Sequence, residues 1–74
     1  MRYLYDTEDG IFSIRQNSYG TWDLYMDDLC LGNYAAPDVA AHDVAMCVTG
    51  YWNWDQQRRV DKLADLSVWA CEPA

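Results

Sequence analysis

Residues 10–34, "GIFSIRQNSYGTWDLYMDDLCLGNY", decide the fold. Phe12 and Ile14 alternate with Ser13 and Arg15, and Trp22, Leu24 and Met26 alternate with Asp23 and Tyr25. A period of two sends one set of side chains to a buried face and the other to water, which is the pattern of half-buried strands. Ser18-Tyr19-Gly20 between the two runs reads as a short turn, with Gly20 able to take the positive φ that tight reversals require. Asp27-Asp28 makes a second reversal before "LCLGNY". The stretch predicts a three-stranded antiparallel β-meander, and residues 3–5, Tyr-Leu-Tyr, can extend the sheet.

After the meander, Ala35-Ala36-Pro37-Asp38 changes the rhythm. Proline is tolerated at the first helical position, and an aspartate suits the positive end of a helix. Along "PDVAAHDVAMCVTG", Ala40, Val44, Cys47 and Val48 fall on one stripe that can cover the sheet, Gly50 ends the run, and Asp38, His42 and Asp43 face outward. In "YWNWDQQRRVDKLADLSVW", Asn53 and Gln56 resemble a capping box, and Val60, Leu63, Ala64 and Ser67 give a helical stripe. Leu66, Val68 and Ala70 alternate as a short strand would, but a second helix is the favoured reading. The expected fold class is α+β, a three-stranded meander followed by one or two helices packed on one sheet face, in one domain spanning residues 1–74. Trp22, Leu24, Phe12, Ile14, Val44 and Val48 are the expected shared core, with Cys30 and Cys47 as small core residues.

A domain of this length buries only ~60% of the surface its unfolded chain exposes, so its core must be rich. Four Trp, six Tyr and one Phe supply that. The three cysteines, Cys30, Cys47 and Cys71, are odd in number and lack C-x-x-C spacing, which suits a reducing cytoplasm better than a disulfide framework or a zinc ribbon. The first residues lack the apolar core of a signal peptide, and no run approaches the ~18 apolar residues of a membrane span.

Charge is distributed unevenly. Residues 1–55 hold nine acids (Asp6, Glu8, Asp9, Asp23, Asp27, Asp28, Asp38, Asp43, Asp55) and two bases (Arg2, Arg15), which accounts for the whole net charge of -7. The three acids and three bases of residues 56–74 cancel. An acidic body repels nucleic acids and membrane surfaces and attracts basic protein surfaces; the same charge also keeps an aromatic-rich protein soluble.

Little in the chain reads as catalytic chemistry. Tyr25-Met26-Asp27-Asp28 matches the string that carries two metal-binding aspartates in the palm of reverse transcriptases. Two-metal catalysis needs a further carboxylate on a neighbouring strand and a large surface for template and triphosphate, so the string reads as a turn. His42 and Cys47, five residues apart, point to different sides of a helix, which argues against a shared metal or a nucleophile pair. The aromatic cluster "YWNWD" lacks the basic groove of a single-strand platform. No enzyme activity, cofactor or metal is expected.

Two resemblances remain. The run of G-x-F-x-I (Gly10, Ile14), G-x-W-x-L (Gly20, Leu24), L-G-x-Y (Leu31, Tyr34), A-A-x-D-V (Ala40, Val44), Thr49-Gly50 and Trp54-Asp55 resembles small uncharacterised bacterial and phage proteins built as a β-meander followed by a helix. In size, acidity and aromatic content the chain is also similar to phage-encoded anti-CRISPR proteins that act as DNA mimics. That likeness implies a partner: a basic nucleic-acid-binding protein, such as a CRISPR effector subunit, whose groove for phosphates is filled by carboxylates. The residues expected to bind it are Asp23, Asp27 and Asp28, supported by Glu8, Asp9, Asp38 and Asp43, in a monomer that touches neither nucleic acid nor membrane directly. The alternative is a small bacterial adaptor or regulatory module without DNA mimicry.

Overall fold

A computed structural model describes residues 1–73. It is an α+β structure with a five-stranded antiparallel sheet and one main helix. The strands are β1 (Arg2–Thr7), β2 (Gly10–Gln16), β3 (Trp22–Met26), β4 (Leu29–Tyr34) and β5 (Ala70–Glu72), in the order β4-β3-β2-β1-β5. The helices are α1 (Pro37–Ala45) and the single-turn α2 (Trp52–Asp55), followed by 3-10 turns at Asp61–Ala64 and Leu66–Val68. None of these helices is long and apolar enough to cross a membrane.

The meander forms as its alternation dictates. Phe12, Ile14 and Leu24 are fully buried under α1, and Met26 nearly so. The first reversal is built by Asn17, whose Oδ1 accepts the backbone N–H of Tyr19 at 2.9 Å and of Thr21 at 3.2 Å, while Gly20 takes φ +86°. The second is the two-residue turn Asp27-Asp28, with Asp27 at φ +51°, a conformation aspartate tolerates better than most residues. Residues 3–5 do extend the sheet, as the centre of β1.

Helix α1 buries Ala40, Ala41, Val44 and Ala45 against the sheet. It stops at Ala45, earlier than Gly50, because Cys47 enters the left-handed region at φ +58°. The Cys47 N–H then donates to Val44 O and the Val48 N–H to Asp43 O, each at 3.1 Å, which satisfies the last helical carbonyls in the Schellman manner. The early stop turns Val48 out: it is 60% exposed, not part of the core. Trp22 is only half-buried, packed on Tyr3 at the far end of the sheet, and Cys30 is exposed on β4.

Of the expected second helix only the single turn α2 forms, and residues 60–67 are bent into 3-10 turns instead of continuing it. Trp54, Leu63 and Trp69 all bury, at a spacing that no single helical stripe matches. The chain therefore bends between these anchors. Val60 N–H donates to Ala45 O at 2.8 Å, Trp54 Nε1 to Val44 O and Trp69 Nε1 to Leu63 O, both at 2.9 Å. Asp55 fastens the loop after α1, its carboxylate accepting the Thr49 N–H, the Thr49 hydroxyl and the Gly50 N–H. Beyond Trp69 the chain pairs with β1 as β5, and the Arg2–Glu72 ion pair at 2.8 Å spans that pairing.

Candidate functional site

Antiparallel connection carries β1–β2 and β3–β4 to turns at the same end of the sheet. Thr7 faces Gly10, Phe12 faces Met26, and Asp27 is fastened directly to the head of β2. The Asp27 N–H donates to Ile11 O and its Oδ1 accepts the Ile11 N–H, both at 2.9 Å. The approach is close enough that a Cβ at Gly10 would lie 2.5 Å from Asp27 Oδ2, and Gly10 sits at φ +137°, so this contact requires glycine.

Glu8 and Asp9 in the first turn and Asp27 and Asp28 in the second thus form one acidic end. Asp6, exposed at the close of β1, joins them. It was not among the expected site residues, although it shares the period-two phase of Arg2 and Leu4 on the outer face of β1. Glu8 and Asp28 are exposed, and neither enters an ion pair among the described residues. A cleft of about 240 Å³ opens beside the first turn, lined by Asp6, Glu8, Asp9, Trp54 and Gln57 among others.

The other expected residues lie elsewhere. Asp23 pairs across the sheet with Asn33 and Arg15, away from the acidic turns, and its Oδ1 accepts from Asn33 Nδ2 at 2.8 Å and Asn17 Nδ2 at 3.3 Å. It works as a clamp on the opposite turn. Asp38 is exposed in the first turn of α1. Asp43 is half-buried and accepts the Tyr34 hydroxyl at 2.8 Å.

Burial and the Asp43 carboxylate both hold the Tyr34 phenol protonated well above its ordinary value. A tyrosine in the unfolded chain ionises near pH ~10, so the unfolded state loses this proton first. The contact's contribution to stability is therefore complete below about pH 10 and falls as pH rises beyond it. Comparing melting temperatures at pH 9 and 11 should show a larger loss for the parent than for Tyr34→Phe; equal losses would contradict the assignment.

The open sheet face has a different character. Arg2 and Arg15 stand directly opposite each other. Arg15 lies 4.3 Å above the Tyr25 ring, and its Nε donates to Ser13 Oγ at 2.9 Å, which is how Ser13 comes to be buried on the outward side of the alternation. A cleft of about 370 Å³ runs from these arginines to Asp27 and Asp28.

His42 is exposed, with Nδ1 3.9 Å from Asp43 Oδ1. Cys47 is buried, its thiol donates to Arg58 O at 3.3 Å, and burial pushes its ionisation up. No cluster of three metal-ligating side chains occurs among the described residues. Comparison with family models, with curated proteins and with solved structures yields no match for this chain.

Proposed function

We propose that this protein is an acidic inhibitor that occupies a positively charged, nucleic-acid-binding surface of another protein. Its most concrete form is an anti-CRISPR that keeps target DNA off a CRISPR effector in the cytoplasm of a bacterial host. The observation that carries this reading is the meeting of two acidic turns, with Asp6 beside them, at one end of a hydrogen-bonded sheet. Neither turn contains a base. Carboxylates held at fixed spacing can replace phosphates in a lysine- and arginine-lined groove, and such binding needs no deep pocket and no catalytic group. Asp27 sets the geometry, while Glu8, Asp9 and Asp28 present charge; Asp23, Asp38 and Asp43 contribute only to the long-range field.

One observation favours the adaptor reading. Trp52 is 72% exposed and Val48 is 60% exposed, four residues apart in the segment after α1, and an exposed tryptophan suits an apolar protein contact. Capture from a bacterial lysate separates the two. Mimicry predicts that the parent retains a protein that itself binds nucleic acid, and that added DNA displaces it. A captured protein with no affinity for nucleic acid, lost on Trp52→Ala, would replace mimicry by the adaptor.

A further inference from the structure

The two edges of the sheet are not equivalent. β5 is three residues long and carries Glu72, in its ion pair with Arg2. β4 is six residues long, pairs only with β3 among the described residues, and is the one strand with no charged side chain. Natural proteins shield free edges with charge, proline or shortness, because unpaired N–H and C=O groups accept another strand. β4 has none of these three; its one irregularity is a β-bulge at Leu31, and Leu29 on it is 55% exposed. In a chain of net charge -7, it is also the strand along which two copies can meet without opposing carboxylates.

The geometry points to a second copy of this chain as the occupant, with β4 pairing antiparallel to β4 of its partner and joining two sheets into one. Opposed residues in an antiparallel pair must lie on the same face. Leu29, Gly32 and Tyr34 face α1, opposite Met26, Leu24 and Trp22; Cys30 and Asn33 face outward, opposite Tyr25 and Asp23; Leu31 is the bulged residue. Among registers that use the whole strand, one fits: Leu29 against Tyr34, Cys30 against Asn33, and Leu31 against Gly32, each repeated by the twofold axis. Exposed Leu29 then gains the Tyr34 ring as a neighbour. An edge this short belongs with interfaces of under ~1,200 Å², which associate weakly and reversibly.

This proposal goes beyond the inhibitor reading and rests on different residues. Sedimentation equilibrium in the presence of reductant, from about 1 µM to about 1 mM, spans the range expected for a weak contact. The parent should move from monomer mass towards twice that mass. Cys30→Lys, at an exposed position, should weaken association at least ~10-fold by placing charge on the edge, and Ala70→Lys on β5 should leave it unchanged. Amide hydrogen exchange of the parent should slow with concentration at residues 29–34 and not at residues 70–72. A parent that stays monomeric at the highest concentration, a dimer that reductant abolishes, or protection that appears only away from β4 would each overturn the proposal.

Discussion

Replacing Phe12 with alanine is expected to lower stability by about 3–5 kcal/mol, the usual cost of emptying a buried aromatic site. Phe12 is fully buried, its ring meets the edge of Trp54 at 4.9 Å and lies 6.5 Å from Trp69. It therefore joins the β-meander to the irregular C-terminal segment. The site cannot collapse easily, because both indole N–H groups are fixed to backbone carbonyls. Domains of this size have only about 5 kcal/mol or less to lose, so the variant should be largely unfolded at room temperature or melt far below the parent. Trp22→Ala removes a larger side chain but should cost less, because Trp22 is half-buried and packs chiefly on Tyr3. Urea denaturation of both variants decides the order. A Trp22 variant less stable than the Phe12 variant would place the centre of the core at the wrong end of the sheet.

The contrast between Phe12 and Trp22 also marks how far the sequence could be read. Period-two alternation from Phe12 to Met26 sorted the faces correctly, and Gly20 and Asp27-Asp28 marked both reversals. Trp22 has the phase of a core residue but stands at the strand's first position, where the layer above has ended; periodicity carries no information about where a layer stops. Ser13 has the phase of a solvent residue yet is buried, because Arg15 folds over it. In the C-terminal segment, long-range anchors override the local pattern: Trp54, Leu63 and Trp69 each reach the core through a separate bend, and a three-residue strand gives no periodic signal of its own. Cys47 ended α1 in a conformation for which glycine is the usual marker, so the stop at Ala45 was invisible. The acidic site was legible in part. Asp27-Asp28 was read as a turn, whereas Glu8 and Asp9 were read only as charges, and the convergence of the two pairs depends on strand order. Asp23, close to Asp27 in sequence, is four residues away along β3 and serves the opposite turn.

Reversing charge at Glu8 and Asp28 together is expected to cut affinity for a basic groove at least ~100-fold. The pair changes local charge by about four units at exposed positions, where stability effects normally stay within ~0.5 kcal/mol. Asp27 is unsuited to this test, since its carboxylate and its left-handed backbone hold the turn against Ile11. Each close interfacial charge pair is worth about 1.5 kcal/mol or more, and like-charge contacts add a penalty. Two lost pairs, at tenfold per ~1.4 kcal/mol, give the expected factor. Asp38→Lys and Asp43→Asn, both on α1 and outside the two acidic turns, should have smaller effects, acting through the general field alone.

The most direct measurement is DNA binding by the captured partner, with and without this protein, at about 50 mM and about 300 mM salt, a range over which screening of exposed charges increases strongly. The parent should block DNA binding at low salt and lose much of that effect at high salt, while Glu8→Lys, Asp28→Lys, shown to be folded by its unchanged unfolding midpoint, should fail at both. Unimpaired DNA binding in the presence of the parent, or equal inhibition by the folded double variant, would contradict the account.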